Sequence, residues 1–298
     1  MMNEFRHDIE HDFRPPARAL VEDIVARALE EDRAYHDVTS RALVPPGQHG
    51  HGRFYMKAAG VVCGLDAVEI AFQLMSDDLE LEVLAGDGSY VEPGMTIAEV
   101  HGPLRPMLGG ERVALNILQR LSGTATFTRR FVQAAAQGGP ARVIDTRKTT
   151  PGLRELERYA VRVGGGHNHR NHLEDGILIK DNHIAAGALR GLGIPELIEE
   201  ARSRSPHTLR VEIEVEDAAG ALLAIAANAD VILLDNMSVE EMRAVVDAAP
   251  EGILFEASGG VNLETVTAIA STGVDLISVG ALTHSAPSLD ISLDIQAI

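Results

Sequence analysis

The sequence predicts an α/β protein dominated by a parallel, barrel-forming sheet, and three observations carry that prediction. Six apolar, strand-like runs recur after Pro140: RVIDT (142–146), GILIKD (176–181), LRVEIEV (209–215), DVILLDN (230–236), GILFEAS (252–258) and VDLISVG (274–280). Stretches with helical spacing, among them EDAAGALLAIAANA, SVEEMRAVVDAA and NLETVTAIAST, separate most of these runs. Strand and helix alternating at roughly 20-residue intervals is the pattern of parallel strands joined by right-handed crossovers. The third observation is that the runs end in residues suited to binding: Arg147-Lys148, Lys180-Asp181, Glu214, Asp235-Asn236, Ser258-Gly259-Gly260 and Gly280. Periodicity alone allows either a barrel of six or seven strands or an open doubly wound sheet. An open sheet concentrates its site at one switch point, whereas many strand ends converging on one site is the barrel arrangement. The barrel is therefore favoured.

Ahead of these runs, ARALVEDIVARALEE (17–31) has apolar residues at helical spacing and reads as an amphipathic helix. From about Gly52 to Gly102, short apolar runs are broken by turn signals. GDGSYVEPGMTIAEVHG (86–102) reads as a hairpin arrangement around Asp87-Gly88 and Pro93-Gly94. Few helix breakers occur between about Gly110 and Gln137, which predicts one long helix.

With 298 residues, 45% of them hydrophobic, the chain can bury a large core in one or two domains. A net charge of −18 argues against general nucleic-acid binding, which needs a basic surface. The opening MMNEFRHDIEHDFRPPARAL has no apolar stretch of signal-peptide length, and no run approaches the ~20 apolar residues of a membrane span. A single cysteine, Cys63, rules out an internal disulfide and fits a reducing compartment. A soluble, cytoplasmic protein without membrane or nucleic-acid partners is expected. The basic residues are 23 Arg and only three Lys: Lys57, Lys148 and Lys180. Lys148 precedes the glycine- and histidine-rich stretch GGGHNHRNHLEDGILIKDNH and Lys180 lies near its end, each in a dense polar motif where a compact ammonium does what a planar guanidinium cannot. Lys57 has no such company and reads as a surface residue.

Arg147, Lys148, His169, Arg170 and Lys180 converge in this arrangement on an otherwise acidic protein. A concave basic cluster attracts a polyanion and holds it by charge-assisted hydrogen bonds. A lone arginine more often pairs with the protein's own carboxylates, but five such groups at strand ends and in one loop outweigh that reading. SGG (258–260) and VGA (279–281) follow the last two strands, where backbone N–H groups commonly grip a phosphate; two tight turns are the plainer alternative. Glu214 and Asp235 complete the ring and suit sugar hydroxyls or Mg²⁺. Glu212 shares the strand face of Glu214 and is secondary; Asp230 points to the opposite rim and is structural. A zinc site would want His167, His169 and His172 gathered with a further ligand. The segment follows a helix and a glycine-rich turn, and Arg170 would repel the ion, so zinc is rejected and His167 and His172 receive no role.

Together ERVALNILQRLSGTAT, DTRKTTPGLRELERYAVRVGGGHNHRNHLEDGILIKDNHI, VEIEVE, VILLDN, FEASGGV and ISVGALTHSAP resemble the quinolinate phosphoribosyltransferase (carboxylating nicotinate-nucleotide pyrophosphorylase) family, in order from about Ala28 to Asp294. The acidic-pair diphosphate motif of more widespread phosphoribosyltransferases is not found. The resemblance implies an N-terminal α/β sandwich domain over 1–112 and an incomplete, six- to seven-stranded α/β barrel over 113–285. The tail 286–298 would return to the first domain as a strand, which the alternating Leu289, Ile291, Leu293 and Ile295 fit. It further implies a homodimer, or higher oligomer, with shared active sites.

The implied reaction is Mg²⁺-dependent phosphoribosyl transfer from phosphoribosyl pyrophosphate to quinolinate with decarboxylation, giving nicotinate mononucleotide, pyrophosphate and CO₂ in NAD biosynthesis. By the resemblance, Arg147, His169, Arg170 and Arg112 of the partner subunit bind the two quinolinate carboxylates, with Thr146 also in contact with substrate. Lys148 and Lys180 contact the anionic groups of both substrates. Glu214 and Asp235 address the ribose hydroxyls and Mg²⁺, so that Lys148, Glu214 and Asp235 form the catalytic set. Ser258, Gly259, Gly260 and Gly280 take the 5′-phosphate, with His284 near that end. One departure stands in EEDRAYHDVTS, where Tyr35-His36 replaces the family's usual glycine while Asp37 and Thr39 remain.

Overall fold

A computed structural model describes residues 14–298. Most of the charged opening stretch, which lacks an apolar run of signal-peptide length, lies outside the described residues. In chain order the elements are α1 (Arg18–Glu31), a 3₁₀ turn (Ala34–His36), α2 (Val38–Leu43), β1 (His49–Met56), β2 (Gly60–Val61) and α3 (Leu65–Met75). Next come β3 (Glu80–Val83), β4 (Tyr90–Val91), β5 (Thr96–Pro103), α4 (Leu104–Ala135), β6 (Arg142–Ile144) and α5 (Arg154–Val163). They are followed by β7 (Ile177–Ile179), α6 (Asp181–Ala188), α7 (Ile194–Arg204), β8 (Val211–Val215), α8 (Ala218–Ala226) and β9 (Val231–Asp235). The last are α9 (Val239–Ala248), β10 (Leu254–Ser258), α10 (Val266–Ala270), β11 (Leu276–Ser278), α11 (Ala281–His284) and β12 (Ile291–Ala297).

Two compact units share these elements. Among the described residues, the first comprises 14–128, Thr149–Gly165 and Ser285–Ile298; the second comprises Arg129–Lys148 and Gly166–His284. The division falls inside α4 rather than at residue 112, because a continuous helix carries no composition signal at the crossing. Residues 149–165, assigned from sequence to the barrel, group with the first unit.

In the first unit a four-stranded antiparallel sheet has the order β12-β1-β5-β3. β12 pairs with β1 from Met56↔Ile291 to Gly50↔Ala297, so the C-terminal tail is a strand of this sheet. Phe54, Met56, Ile97 and Val100 face a core shared with Phe72 of α3 and with Val21, Val25 and Leu29 of α1. The buried positions of β1 include Gly50 and Gly52, where a Cβ would stand 2.8 Å from Leu104 Cδ1 and 2.8 Å from Val100 Cγ1. Asp87 joins the hairpin turn to α3: its carboxylate accepts from the Gly64 and Leu65 N–H groups and from Tyr159 Oη (2.8 Å). Burial pushes the Asp87 carboxyl above its ordinary range despite these donors. Glu157 of α5, fully buried, accepts from Arg120 (2.7 Å) and from both the Thr150 hydroxyl (2.7 Å) and N–H (3.0 Å), tying down the TTPG segment.

In the second unit a six-stranded parallel sheet has the order β6-β11-β10-β9-β8-β7. The consecutive strands β6 and β7 stand at opposite edges and are not paired with each other, which makes the barrel incomplete. Each of the six sequence runs supplies one strand. A parallel bridge between Ile144 and His167 extends the β6 edge, with the His167 N–H on Val143 O (2.9 Å) and the Asp145 N–H on His167 O (3.1 Å). Among the described residues no helix is long and apolar enough to cross a membrane.

Gly123, in mid-α4, is where the chain of Pro287–Ser288 crosses the helix: a Cβ there would lie 2.1 Å from Pro287 O and 2.9 Å from Ser288 Cα. Alanine normally gains about 1 kcal/mol over glycine inside a helix. Here overpacking against backbone, about 1–3 kcal/mol, outweighs that gain. Gly123→Ala is expected to lower the urea-unfolding midpoint; an unchanged or higher midpoint would contradict the contact.

Candidate active site

At the C-terminal ends of the barrel strands lies a cavity of about 450 Å³, within the range typical of small-molecule sites. Thr146, Arg147, Lys148, His169, Arg170, Lys180, Glu214, Asp235 and Ser258 line it, together with Leu178, Leu233, Glu256 and Ser278. Nine residues singled out from sequence thus meet at one cavity. Their convergence follows from strand geometry: Glu212 and Glu214 on β8, Leu233 and Asp235 on β9, and Glu256 and Ser258 on β10 each repeat at the two-residue spacing of one strand face. Another hollow, of about 470 Å³ in the first unit, is walled by residues such as Ile24, Ile117, Leu121 and Leu156 and contains none of the sequence-predicted site residues.

Asp145, fully buried just beyond β6, sets the loop that carries His169 and Arg170. Its Oδ1 accepts the His169 N–H (2.8 Å) and its Oδ2 the Asn168 side-chain amide (2.6 Å). His169 Nε2 then lies 3.5 Å from Glu212 Oε2 and 3.4 Å from Glu256 Oε2, both on almost fully buried side chains. Burial opposes a charge on the ring, but hydrogen bonding to Glu212 and Glu256 and their charges outweigh it, lifting the pKa to about 10. The Arg170 N–H points at His169 Nδ1 (2.7 Å), a contact that protonation of Nδ1 sacrifices. A net hydrogen bond is worth about 1 kcal/mol, whereas stripping a buried carboxylate of its cation costs about 3–5 kcal/mol. The imidazolium wins. Burial also pushes the Glu212 carboxyl above its ordinary range, against the pull of His169.

Around this centre the cations are crowded. Burial, reinforced by the charge of Arg147, lowers the pKa of Arg170, whose Nη1 donates to Gly176 O (2.8 Å). Arg147 keeps a buried Nε without a hydrogen-bond partner. Lys180 Nζ is 3.0 Å from Glu214 Oε2, so one motif lysine is engaged by a carboxylate of the same cavity. Lys148 is held through its backbone, its N–H on Thr146 Oγ1 (3.1 Å) and its carbonyl accepting from Thr283 Oγ1 (2.8 Å). Its stem passes Gly280, where a Cβ would sit 3.1 Å from Lys148 Cδ and 3.2 Å from His284 Nε2. A side chain at Gly280 would press on both.

The remaining predicted residues are placed as follows. Gly259 (φ +87°) and Gly260 (φ +61°) both need the left-handed region, and a Cβ on Gly259 would lie 2.2 Å from Asn236 Oδ1. Asn236 itself holds φ 55° and donates from Nδ2 to Asp235 Oδ2 (2.8 Å); such strained positions concentrate at functional sites. Arg112 lies on α4 in the first unit with an exposed side chain, 3.9 Å from Glu111. His167 and His172 are exposed and do not join His169 in a metal cluster. The groups that could hold a hard cation are the carboxylates Glu214 and Asp235, both only partly buried. Lys57 stands 3.7 Å from Asp290 on the first unit. Sequence reasoning missed Asp145 and Glu256. Glu256 had a signal, a charge inside an apolar run two residues before Ser258, on the same strand face.

Two family models match the chain: the N-terminal domain of quinolinate phosphoribosyl transferase over residues 37–122 and its C-terminal domain over 124–294. A probable nicotinate-nucleotide pyrophosphorylase [carboxylating] of Bacillus subtilis is 44% identical over 89% of this chain and 90% of its own. Quinolinate phosphoribosyltransferase [decarboxylating] 1 of Nicotiana glauca is 37% identical over 95% of this chain and 85% of its own. Among solved structures, the nicotinate-nucleotide pyrophosphorylase of Francisella tularensis superposes with a TM-score of 0.89 at 35% identity, covering 95% of this chain and 99% of that one. With both domain models matched in order and the motif residues gathered at one cavity, the chain belongs to the quinolinate phosphoribosyl transferase family.

Proposed function

We propose that this protein transfers a phosphoribosyl group from phosphoribosyl pyrophosphate to quinolinate with loss of one ring carboxylate, as a step of NAD biosynthesis in the cytoplasm. The observation that carries this reading is the crowding of Arg147, Lys148, His169, Arg170 and Lys180 around one cavity that also presents Glu214 and Asp235. Such a pattern suits a dicarboxylate beside a phosphorylated sugar. The geometry supports binding of the quinolinate carboxylates by Arg147, His169 and Arg170, with Thr146 alongside. The left-handed Gly259 and Gly260 with Ser258, and Gly280 beside His284, suit the 5′-phosphate, because backbone N–H groups are approachable only where no Cβ intervenes.

Glu214 and Asp235 offer the oxygen donors that Mg²⁺ prefers; bound there, the ion would neutralise charge on the departing pyrophosphate. The chain's own groups do the rest. As pyrophosphate leaves, positive charge grows on the ribosyl carbon, and Glu214 and Asp235 face it as fixed anions. Lys180, released from Glu214, is within reach of the anionic groups that arrive. Arg147, His169 and Arg170 clamp the ring so that its nitrogen attacks this carbon. The nitrogen becomes cationic and draws in the electron pair left when the adjacent carboxylate departs as CO₂, and a proton takes its place. The products are nicotinate mononucleotide, pyrophosphate and CO₂.

Mixing the protein with Mg²⁺, quinolinate and phosphoribosyl pyrophosphate is expected to release CO₂ and pyrophosphate in equal amounts; release of neither would overturn the proposal. Lys148→Arg and Lys180→Arg are each expected to lower kcat about tenfold or more without changing the thermal midpoint, since a guanidinium does not reproduce a compact ammonium. Near-normal turnover in both variants would reduce these lysines to general counter-ions.

The proposal includes a homodimer in which Arg112 of the partner subunit completes each site. Arg112→Ala and Lys148→Ala homodimers are then each nearly inactive. In a mixed dimer one site collects both lesions and the other neither, so refolding the two variants together should restore up to about half of wild-type activity per mixed dimer. No recovery in proven heterodimers would remove Arg112 from the partner's site.

A further inference from the structure

The outer face of the four-stranded sheet in the first unit carries a cluster that the proposed reaction does not use. His51 on β1 stands directly opposite His101 on β5, and Glu99, two residues before His101, shares its face. The two imidazole rings are stacked, with centroids 4.4 Å apart and planes 7° from parallel. Both Nε2 atoms lie near the same carboxylate oxygen: Glu99 Oε2 is 3.1 Å from His51, within hydrogen-bond reach, and 3.8 Å from His101. All three candidate ligand atoms lie within 4.8 Å of one another, and the side chains are only partly exposed.

We propose that His51, Glu99 and His101 bind one divalent transition-metal cation of the Zn²⁺ class. Tetrahedral zinc at about 2.0–2.1 Å from each ligand atom sets those atoms roughly 3.3–3.4 Å apart, between the two separations from Glu99. The stacked rings point their in-plane Nε2 lone pairs in near-parallel planes, so each ring must turn about its side-chain bonds to meet one ion; the paired strands hold both histidine backbones within reach. A histidine–carboxylate hydrogen bond accounts for the His51 ring, and cross-strand packing accounts for the stacking; at 3.8 Å the His101 Nε2 is too far for a hydrogen bond to Glu99 yet close enough for both to meet one ion. Arg53, opposite Glu99 in register, would compete for the carboxylate, but its guanidinium lies over the Tyr55 ring, 5.8 Å from the centroid. Glu80, opposite His101 on β3, adds negative charge to the same row. Two imidazoles select Zn²⁺ or Cu²⁺ over Mg²⁺, which prefers an all-oxygen shell. A tetrahedral ion held by these three side chains would have one further position for a water.

The test uses full-length protein stripped by chelator and titrated calorimetrically with Zn²⁺ alone. Wild type should bind one equivalent that His51→Ala and His101→Gln each lose. Glu99→Gln should weaken that equivalent by about tenfold or more, since even outer partners of metal ligands are worth 10–100-fold. A hundredfold excess of Mg²⁺ should leave it bound, and Zn²⁺-soaked crystals should show an anomalous peak between the three side chains. Equal stoichiometry and affinity in wild type and in the His51→Ala/His101→Gln double variant would overturn the site. That outcome would also cover zinc held elsewhere, for example at the buried His169–Glu212–Glu256 group. Displacement by Mg²⁺ would overturn it too, by showing only a diffuse attraction to the acidic surface.

Discussion

Two almost fully buried carboxylates, Glu212 on β8 and Glu256 on β10, project into the barrel interior, where an uncompensated charge is severely destabilising. His169, set between them, makes that interior tolerable, and much of the cavity's form follows from the need to put it there. The imidazole reaches them because Asp145 captures the backbone N–H of His169 and the side chain of Asn168. The loop in turn lies against the β6 edge through the Ile144–His167 bridge. An incomplete barrel leaves that edge free to accept it. The same placement sets Arg170 and Arg147 side by side, with Arg147 Nε buried and without a partner.

The catalytic-looking groups are therefore supported from below by charge as well as from the sides by strands. Glu214, Asp235 and Ser258 sit one strand step beyond the Glu212–His169–Glu256 layer, nearer the C-terminal ends. A layer with alternating charge thus lies beneath a cavity rich in cations. In the proposed reaction a polyanion would meet these cations. Lys180 is paired with Glu214, and in the proposed reaction that pair would part or be shared.

How much of this was legible in the sequence depended on whether side chains advertised their environment. The six barrel strands were visible because fully buried strands read as unbroken Val, Ile and Leu runs, and their polar ends marked the cavity. β1 was not visible: HGHGRFYM places glycine at two of its buried positions, so the alternation is filled by Leu104 and Val100 leaning in from neighbours. The helices α5, α6 and α7 fell inside stretches whose histidines, glycines and arginines drew attention to chemistry instead. Glu256 was overlooked because a single acid in an apolar run is usually a surface residue, and only the register with Leu233 reveals that it points inward. The unit boundary inside α4 left no mark because nothing in a continuous helix changes there.

The pairing of β12 with β1 orders events during synthesis. When Met56 has been made, its partner Ile291 is still 235 residues away, and at ordinary elongation rates that interval lasts on the order of 10–50 s. During that time one side of β1 can be satisfied by β5, but the other remains a bare edge, the kind that recruits stray strands. Every strand of the barrel is complete before the edge is covered. The sheet of the first unit thus waits for β12 until the barrel strands are made, and a ribosome that stalls or a chain cut before Ile291 would release every barrel strand attached to an unsealed sheet.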